Sequence, residues 1–350
     1  MQKSLFKLSI LFISILILSG CLFKGEDTLD EMDPPPSSNV DFTDDLENVG
    51  ESDNENVEGA EGTVNRELFL LDSNGMVVPQ SLPLPKETDA VARQVLEYLI
   101  KDGPVTNLLP NGFQAVLPAG TVINSLNIVE DGTLIVDVSE EFKNYKAEEE
   151  LRIIEAMTFT LTQFDTVDRI KLRIDGIELN EMPVNGTPLS NGYSRANGIN
   201  LHVGDIADIT AAETTTVYFP AQHDEHYYYV PVTMPIDTEG MDMTTAVVEQ
   251  LLDGPSYDLA GLLNPFQANV ELVSEPKVED GVLTLSFNNA ILNNSENQTI
   301  SDEVLSSLVL TLTEQQGIES VQVKVEGVEQ VFNENGEAFS KPVTREDVSE

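Results

Sequence analysis

Cys21 is the only cysteine in 350 residues, so no disulfide forms within the chain. Two of the three histidines bracket His223-Asp224-Glu225-His226, where two imidazoles and two carboxylates could hold zinc. Consecutive loop residues rarely converge on one ion, and the helical His-Glu-x-x-His order is absent, so the segment reads as a polar hairpin loop. His202 stands apart. Acidic pairs such as Glu140-Glu141 could do general acid and base work, but 61 acidic residues make solvated pairs the common case. No nucleophile elbow, P-loop or dinucleotide fingerprint occurs. Tyr227-Tyr228-Tyr229 is the one aromatic cluster. Strand alternation sends Tyr228 one way and Tyr227 and Tyr229 the other. One side then meets a core, and the other offers ring surface of the kind enriched at interfaces; the run also suits an ordinary strand. The expectation is no catalytic residue, no metal and no cofactor.

The N-terminus gives Cys21 a different chemistry. Lys3 and Lys7 precede a run from Leu8 to Leu18 that is apolar apart from Ser9 and Ser14, and Leu18-Ser19-Gly20-Cys21 closes it. That is the layout of a secretory leader, too short for a span of about 20 residues. The sole cysteine after small residues resembles a bacterial lipobox. Cleavage between Gly20 and Cys21 would leave Cys21 as a lipid-bearing N-terminus, and two acyl chains anchor where one is marginal. The expectation is a chain held on the extracytoplasmic side of the cell membrane.

The net charge is −43, and loss of a leader with two lysines and no acids would make it −45. Such a chain repels nucleic acid and anionic lipid, and phosphate contacts need clustered Lys and Arg. Residues 25–65 contain no Lys or Arg but include Pro34-Pro35-Pro36, Asp44, Asp45, Glu47, Glu51 and Glu58. This composition cannot offset the entropy of ordering, so residues 21–64 read as an acidic tether.

The rest of the chain is a tandem duplication. Leu68-Phe69-Leu70-Leu71 corresponds to Val217-Tyr218-Phe219-Pro220, Val95–Pro104 to Val247–Pro255, and Val129–Gly132 to Val278–Gly281. Thr160-Leu161-Thr162 matches Thr311-Leu312-Thr313, and Ile170–Gly176 matches Val321–Gly327. The repeats are placed at 65–195 and 214–345, joined by a Gly- and Asn-rich linker at 196–213. The first repeat contains no histidine, which rules out a duplicated histidine-based site. Each repeat opens with two extended runs, the first pair around Asn74-Gly75. A helix follows, with Thr88 as N-cap and Val91, Val95 and Leu99 as its stripe in repeat 1, ending at Gly103-Pro104; Met243, Val247 and Leu251 form the stripe in repeat 2. Next comes a strand pair about Asp-Gly. A second helix carries Leu151, Ile154, Met157, Leu161 and Phe164, or Val304, Leu308 and Leu312. In the last strand Ile170, Leu172 and Ile174 alternate with Lys171 and Arg173, giving one core face and one wet face. The expected fold class is α+β: two tandem copies of a small α/β sandwich, two helices on one face of a small mixed sheet.

Val247-Val248-Glu249-Gln250-Leu251-Leu252-Asp253-Gly254-Pro255, with Val217–Pro220, Val230-Pro231-Val232 and the Leu312-Thr313-Glu314 helix end, resembles the GerM domain. Repeat 1 departs from it at Lys101, an insertion, and at Leu70-Leu71. The resemblance implies a part in sporulation and germination, in the assembly joining mother cell and forespore, and a domain likened to ring-building folds. It thus implies a non-enzymatic scaffold on the mother-cell membrane that faces the intermembrane space and binds extracytoplasmic protein partners, with self-association left open. A wall hydrolase and a solute-binding lipoprotein are the alternatives.

Overall fold

A computed structural model describes residues 62–86, 90–203, 213–224, 226–238 and 240–348. Gly20, Cys21, the acidic stretch to residue 61 and Thr88 lie outside the described residues.

Repeat 1 begins with an antiparallel hairpin of β1 (Thr63–Leu71) and β2 (Val77–Pro85). Asp72 shapes its turn: Oδ1 accepts the N–H groups of Asn74 and Met76, each at 2.8 Å, and Gly75 takes φ +77°, open to glycine without a Cβ penalty. Then come α1 (Val91–Glu97), β3 (Ile123–Ile128), β4 (Thr133–Val138), α2 (Glu150–Leu161) and β5 (Arg169–Ile174). β3 and β4 are antiparallel, and β5 returns parallel to β4 after the crossover through α2. β6 (Ile177–Glu178) and β7 (Tyr193–Ser194) both pair with β5.

Repeat 2 follows the same order: β8 (Glu213–His223), β9 (His226–Ile236), α3 (Met243–Asp253), β10 (Lys277–Glu279), β11 (Val282–Phe287), α4 (Asp302–Leu312), β12 (Ser320–Val325) and β13 (Val343–Thr344). Its sheet order is β10-β11-β12-β13, with β11 and β12 parallel. The α+β class and its tandem duplication hold.

Two features differ in detail. The opening hairpins are ladders of their own, and α2 packs both on β1 and β2 and on β5 and β7. A helix covered on two sides is apolar around most of its circumference. Ile153 and Phe159, off the expected stripe, are therefore buried, while Leu151 in the first turn is 36% exposed. α1 ends at Glu97, well before Gly103-Pro104. Past Tyr98 the chain bonds to a neighbouring segment: the Val116 and Leu117 N–H groups donate to Leu99 C=O, and Lys101 N–H donates to Leu117 C=O. In α3, which lacks the extra residue, the helix runs to Asp253 and stops on Gly254 at φ +82°.

One buried bond repeats in both halves. Phe69 N–H donates to Thr160 Oγ1 at 3.0 Å, and Tyr218 N–H to Thr311 Oγ1 at 2.8 Å. Each threonine of the central helix thus satisfies an outward-facing strand amide that burial would otherwise leave unpaired.

The repeats pack directly together. Of the linker expected at 196–213, residues 198–202 form part of the junction and 204–212 lie outside the described residues. Ile199 is fully buried in the core of repeat 1. Its C=O accepts the Thr233 N–H, and the His202 N–H donates to Thr233 C=O, both at 2.9 Å. Asn200, at φ +47°, acts as an amide staple. Its Oδ1 accepts the Val77 N–H at 2.8 Å, and its Nδ2 donates to the carbonyls of Val77 at 2.7 Å and Pro231 at 2.8 Å. Val78 of repeat 1 is buried within the core of repeat 2.

Candidate functional site

The tyrosine run lies on β9, and its alternation is the one the sequence implies. Tyr228 is buried at the junction, where its hydroxyl donates to Asp72 Oδ2 at 2.9 Å and its ring meets Phe113 edge-on at 5.0 Å. Burial and the Asp72 carboxylate push this phenol up. Tyr227 is 48% exposed and Tyr229 half-buried. Burial pushes the Tyr229 phenol up to about 12, against a hydrogen bond with Ser306.

Tyr227 and Tyr229 form one wall of a groove of about 780 Å3 on repeat 2. α4 supplies Asp302, Leu305 and Ser306, and the chain from Asn333 to Val348 supplies the far wall. The charged groups lining it are Asp302, Glu337 and Asp347 against Lys341. Glu303 and Glu334 stand close by. Burial raises the Asp302 and Glu334 carboxyls above their ordinary range, and the charge of Glu303 adds to both shifts.

The corresponding region of repeat 1 is closed. The two loops carry the same bond at equivalent positions: Met182 N–H donates to Thr187 C=O at 2.7 Å, as Asn333 N–H does to Glu337 C=O at 2.9 Å. Met182, Leu189 and Tyr193 are buried, whereas their counterparts Asn333, Phe339 and Val343 line the groove. Glu150 fastens the repeat 1 loop. It accepts from the N–H groups of Val184, Asn185 and Thr187, from the Thr187 hydroxyl and from the Tyr145 hydroxyl. Its counterpart, Ser301, accepts from Val304 N–H as the N-cap of α4.

A second cleft, of about 710 Å3, lies between the repeats and is lined by Gln80, Phe113, His223, His226, Tyr227 and Tyr228 among others. His223 and His226 face each other as the last pair of the β8–β9 ladder, and Gly112, at φ +85°, lets the His223 ring lie against the backbone. His202 sits in the junction, 3.7 Å from Asp258. Among the described residues no three His, Cys, Asp or Glu side chains gather around a common point that could hold a metal.

The acidic pair separates. Glu140 pairs with Lys143 at 3.1 Å on the surface. Glu141 is exposed, its carboxyl held below the usual range by a hydrogen bond from Ser139. A carboxyl that sequence reading did not single out is Glu155, 1% exposed on α2. Burial pushes it up to about 8, against the Asn200 backbone N–H and Arg152, and its Oε1 has no hydrogen-bond partner.

Two arginines in equivalent positions close the back of the junction. Arg195 Nε donates to Thr162 Oγ1 at 2.9 Å, with its guanidinium 4.7 Å from the Phe159 ring. Arg345 Nη1 donates to Leu310 C=O at 3.0 Å, and its guanidinium lies 4.9 Å from the Tyr218 ring. Each covers the C-terminal end of a central helix, where a cation is favoured. Both reach Glu314 Oε1, Arg195 at 3.9 Å and Arg345 at 3.0 Å, so like ends of the two repeats meet. Extending the sequence match to Tyr193-Ser194-Arg195 and Val343-Thr344-Arg345 would have revealed this pair.

Comparison with known proteins agrees with this architecture. A family profile described as "Germane: Sporulation and spore germination" matches residues 67–180 and 216–331. The chain belongs to the Germane family. A curated relative, the spore germination protein GerM of Bacillus subtilis (strain 168), is 48% identical over 347 residues, covering 95% of this chain and 93% of that one. Among solved structures, the tandem GerMN domains of the sporulation protein GerM from Bacillus subtilis match with a TM-score of 0.74 and 52% identity, over 81% of this chain and 97% of that chain. Neither match indicates a catalytic family. Each Germane match starts in an opening hairpin and includes the central helix and the parallel strand that follows it. The groove wall from Asn333 onward lies beyond the second match. Among the described residues of this Germane chain, no helix is long and apolar enough to cross a membrane.

Proposed function

We propose that the chain is a lipid-anchored, non-enzymatic assembly factor of sporulation and spore germination. It supports the complex between mother cell and forespore by binding extracytoplasmic protein partners. The observation that carries this reading is the near full-length relation to a curated spore germination protein. The leader ending at Gly20, with Cys21 directly after it, supports attachment through the Cys21 sulfur to the mother-cell membrane, facing the intermembrane space. The groove between Tyr227 and α4 supports contact with a partner, since exposed aromatic surface is enriched where proteins meet.

The test is a crosslinked pull-down of the tagged full chain from membranes of sporulating cells. Recovery of envelope or channel proteins, lost with Cys21→Ala, is the expected result. Recovery of nothing above the level in vegetative cells would refute the assignment.

A further inference from the structure

The outer edge of β9 is only partly used. Pro220 turns its C=O away from β9 to accept the Leu263 N–H at 2.8 Å. Its ladder partner Tyr229 therefore turns its own N–H and C=O outward, because the groups of such a pair face away from each other. Two and four residues on, the same edge is taken: Asn200 bonds Pro231, and residues 199–202 bond both backbone groups of Thr233. In repeat 1 the matching residue, Val77, has both groups filled by Asn200. Among the described residues nothing takes those of Tyr229. Tyr229 also lines the groove, whose wall carries the Tyr227 and Tyr229 rings and whose lining is acidic.

We propose that this groove takes an extended, lysine- or arginine-bearing segment of a partner protein, added as a strand along β9 at Tyr229. The proposal rests on the assembly reading above and names the partner's chemistry. Strand addition draws affinity from main-chain bonds and specificity from alternate side chains. The line of residues 199–202 along β9 already shows the edge accepting a segment, and a bound segment would continue it. Alternate side chains then reach Asp302 and Glu337, and a cation over the exposed Tyr227 face gains a cation–π contact. An acidic segment would meet like charge on entry.

The experiment is fluorescence anisotropy with the mature chain carrying Cys21→Ala. The probe is a fluorescein-labelled octapeptide alternating Lys and Val. An octapeptide alternating Glu and Val, and the Lys peptide N-methylated on every second amide, serve as comparisons. Saturable binding of the Lys peptide is expected, with none of the Glu peptide and loss on N-methylation. The Asp302→Lys/Glu337→Lys double variant is expected to bind at least about tenfold more weakly, which is 1.4 kcal/mol. Glu130→Lys, on the exposed β3–β4 turn of repeat 1, should change binding less than about twofold, consistent with screening of distant exposed charges. The proposal fails if the Lys peptide does not saturate, if the N-methylated peptide binds equally well, or if groove and distant variants weaken binding alike. The N-methyl comparison uses unaltered groove residues, so a misfolded variant cannot decide it. Unchanged partner recovery by the double groove variant would leave the assembly reading standing and remove this one.

Discussion

Asn200 should be the residue whose loss most cleanly uncouples the repeats. Its side chain makes three hydrogen bonds, two to Val77 and one to Pro231, and its backbone is left-handed at φ +47°. At roughly 0.5–1.5 kcal/mol net per bond, the three sum to about 2–4 kcal/mol. Alanine adds about 1 kcal/mol or more of left-handed strain, whereas glycine adds none. Asn200→Gly should therefore lose about 3 kcal/mol and Asn200→Ala a further 1 kcal/mol. At roughly 2–4 °C per kcal/mol for a body of this size, the glycine variant melts about 10 °C lower. The chain has no tryptophan, so circular dichroism and calorimetry are the natural assays. Calorimetry should also show one transition broadening or splitting, since the staple spans both repeats. Melting of Asn200→Gly within 2 °C of the parent would mean that backbone conformation and not the amide bonds holds the junction.

Glu155, pushed up to about 8 by burial, is protonated in the folded chain at neutral pH but ionised in the unfolded chain above its ordinary range. Its contribution is fully present below that range and is lost as pH rises toward 8, so stability should fall across this interval. Glu155→Gln should flatten that fall, as urea titrations at pH 5, 6.5 and 8 would show; an unchanged slope rejects the assignment. Thr160→Val and Thr311→Val each strand one buried amide and should cost roughly 1–3 kcal/mol in urea unfolding; a loss under about 0.5 kcal/mol in both would show the bond to be dispensable. Arg345→Ala should destabilise more than Arg195→Ala, because only Arg345 is within 3.0 Å of Glu314. A double-mutant cycle with Glu314→Gln reads the coupling directly. Cys21→Ala should move a correctly folded chain from the membrane fraction to the soluble one, and sporulation rescued by it to normal levels would show the lipid to be dispensable.

Local patterns carried most of the architecture. The Asp-Gly-Pro block placed the end of α3 because Gly254 does adopt a left-handed φ, and strand alternation separated Tyr228 from its neighbours. The same block misplaced the end of α1. There the backbone of residues 99–101 finds partners at Val116 and Leu117, and such long-range bonds leave no local trace. Leu151 fitted a 3.6-residue stripe, but a helix buried on two sides no longer obeys a single stripe. Asn200 sat in a stretch that composition marks as linker, and its role depends on an amide side chain imitating a strand. Glu155 could not be told from the other acids by type, because only its burial distinguishes it. The open groove was legible in its tyrosines but not in its far wall, whose residues 333–348 follow the last block of the repeat.

Duplication of a fold ordinarily doubles the number of equivalent surfaces. Here Met182, Leu189 and Tyr193, fastened by Glu150, fill in repeat 1 the space that stays open in repeat 2. The tandem is therefore monovalent in that surface despite its two copies. A single chain cannot gain avidity by engaging one partner twice, since effective concentration requires two open sites on one body. Multivalent engagement would have to come from the density of neighbouring chains. If Cys21 anchors the chain as proposed, the strength of any assembly built this way would depend on how many molecules share a patch of membrane, a quantity that expression level can set.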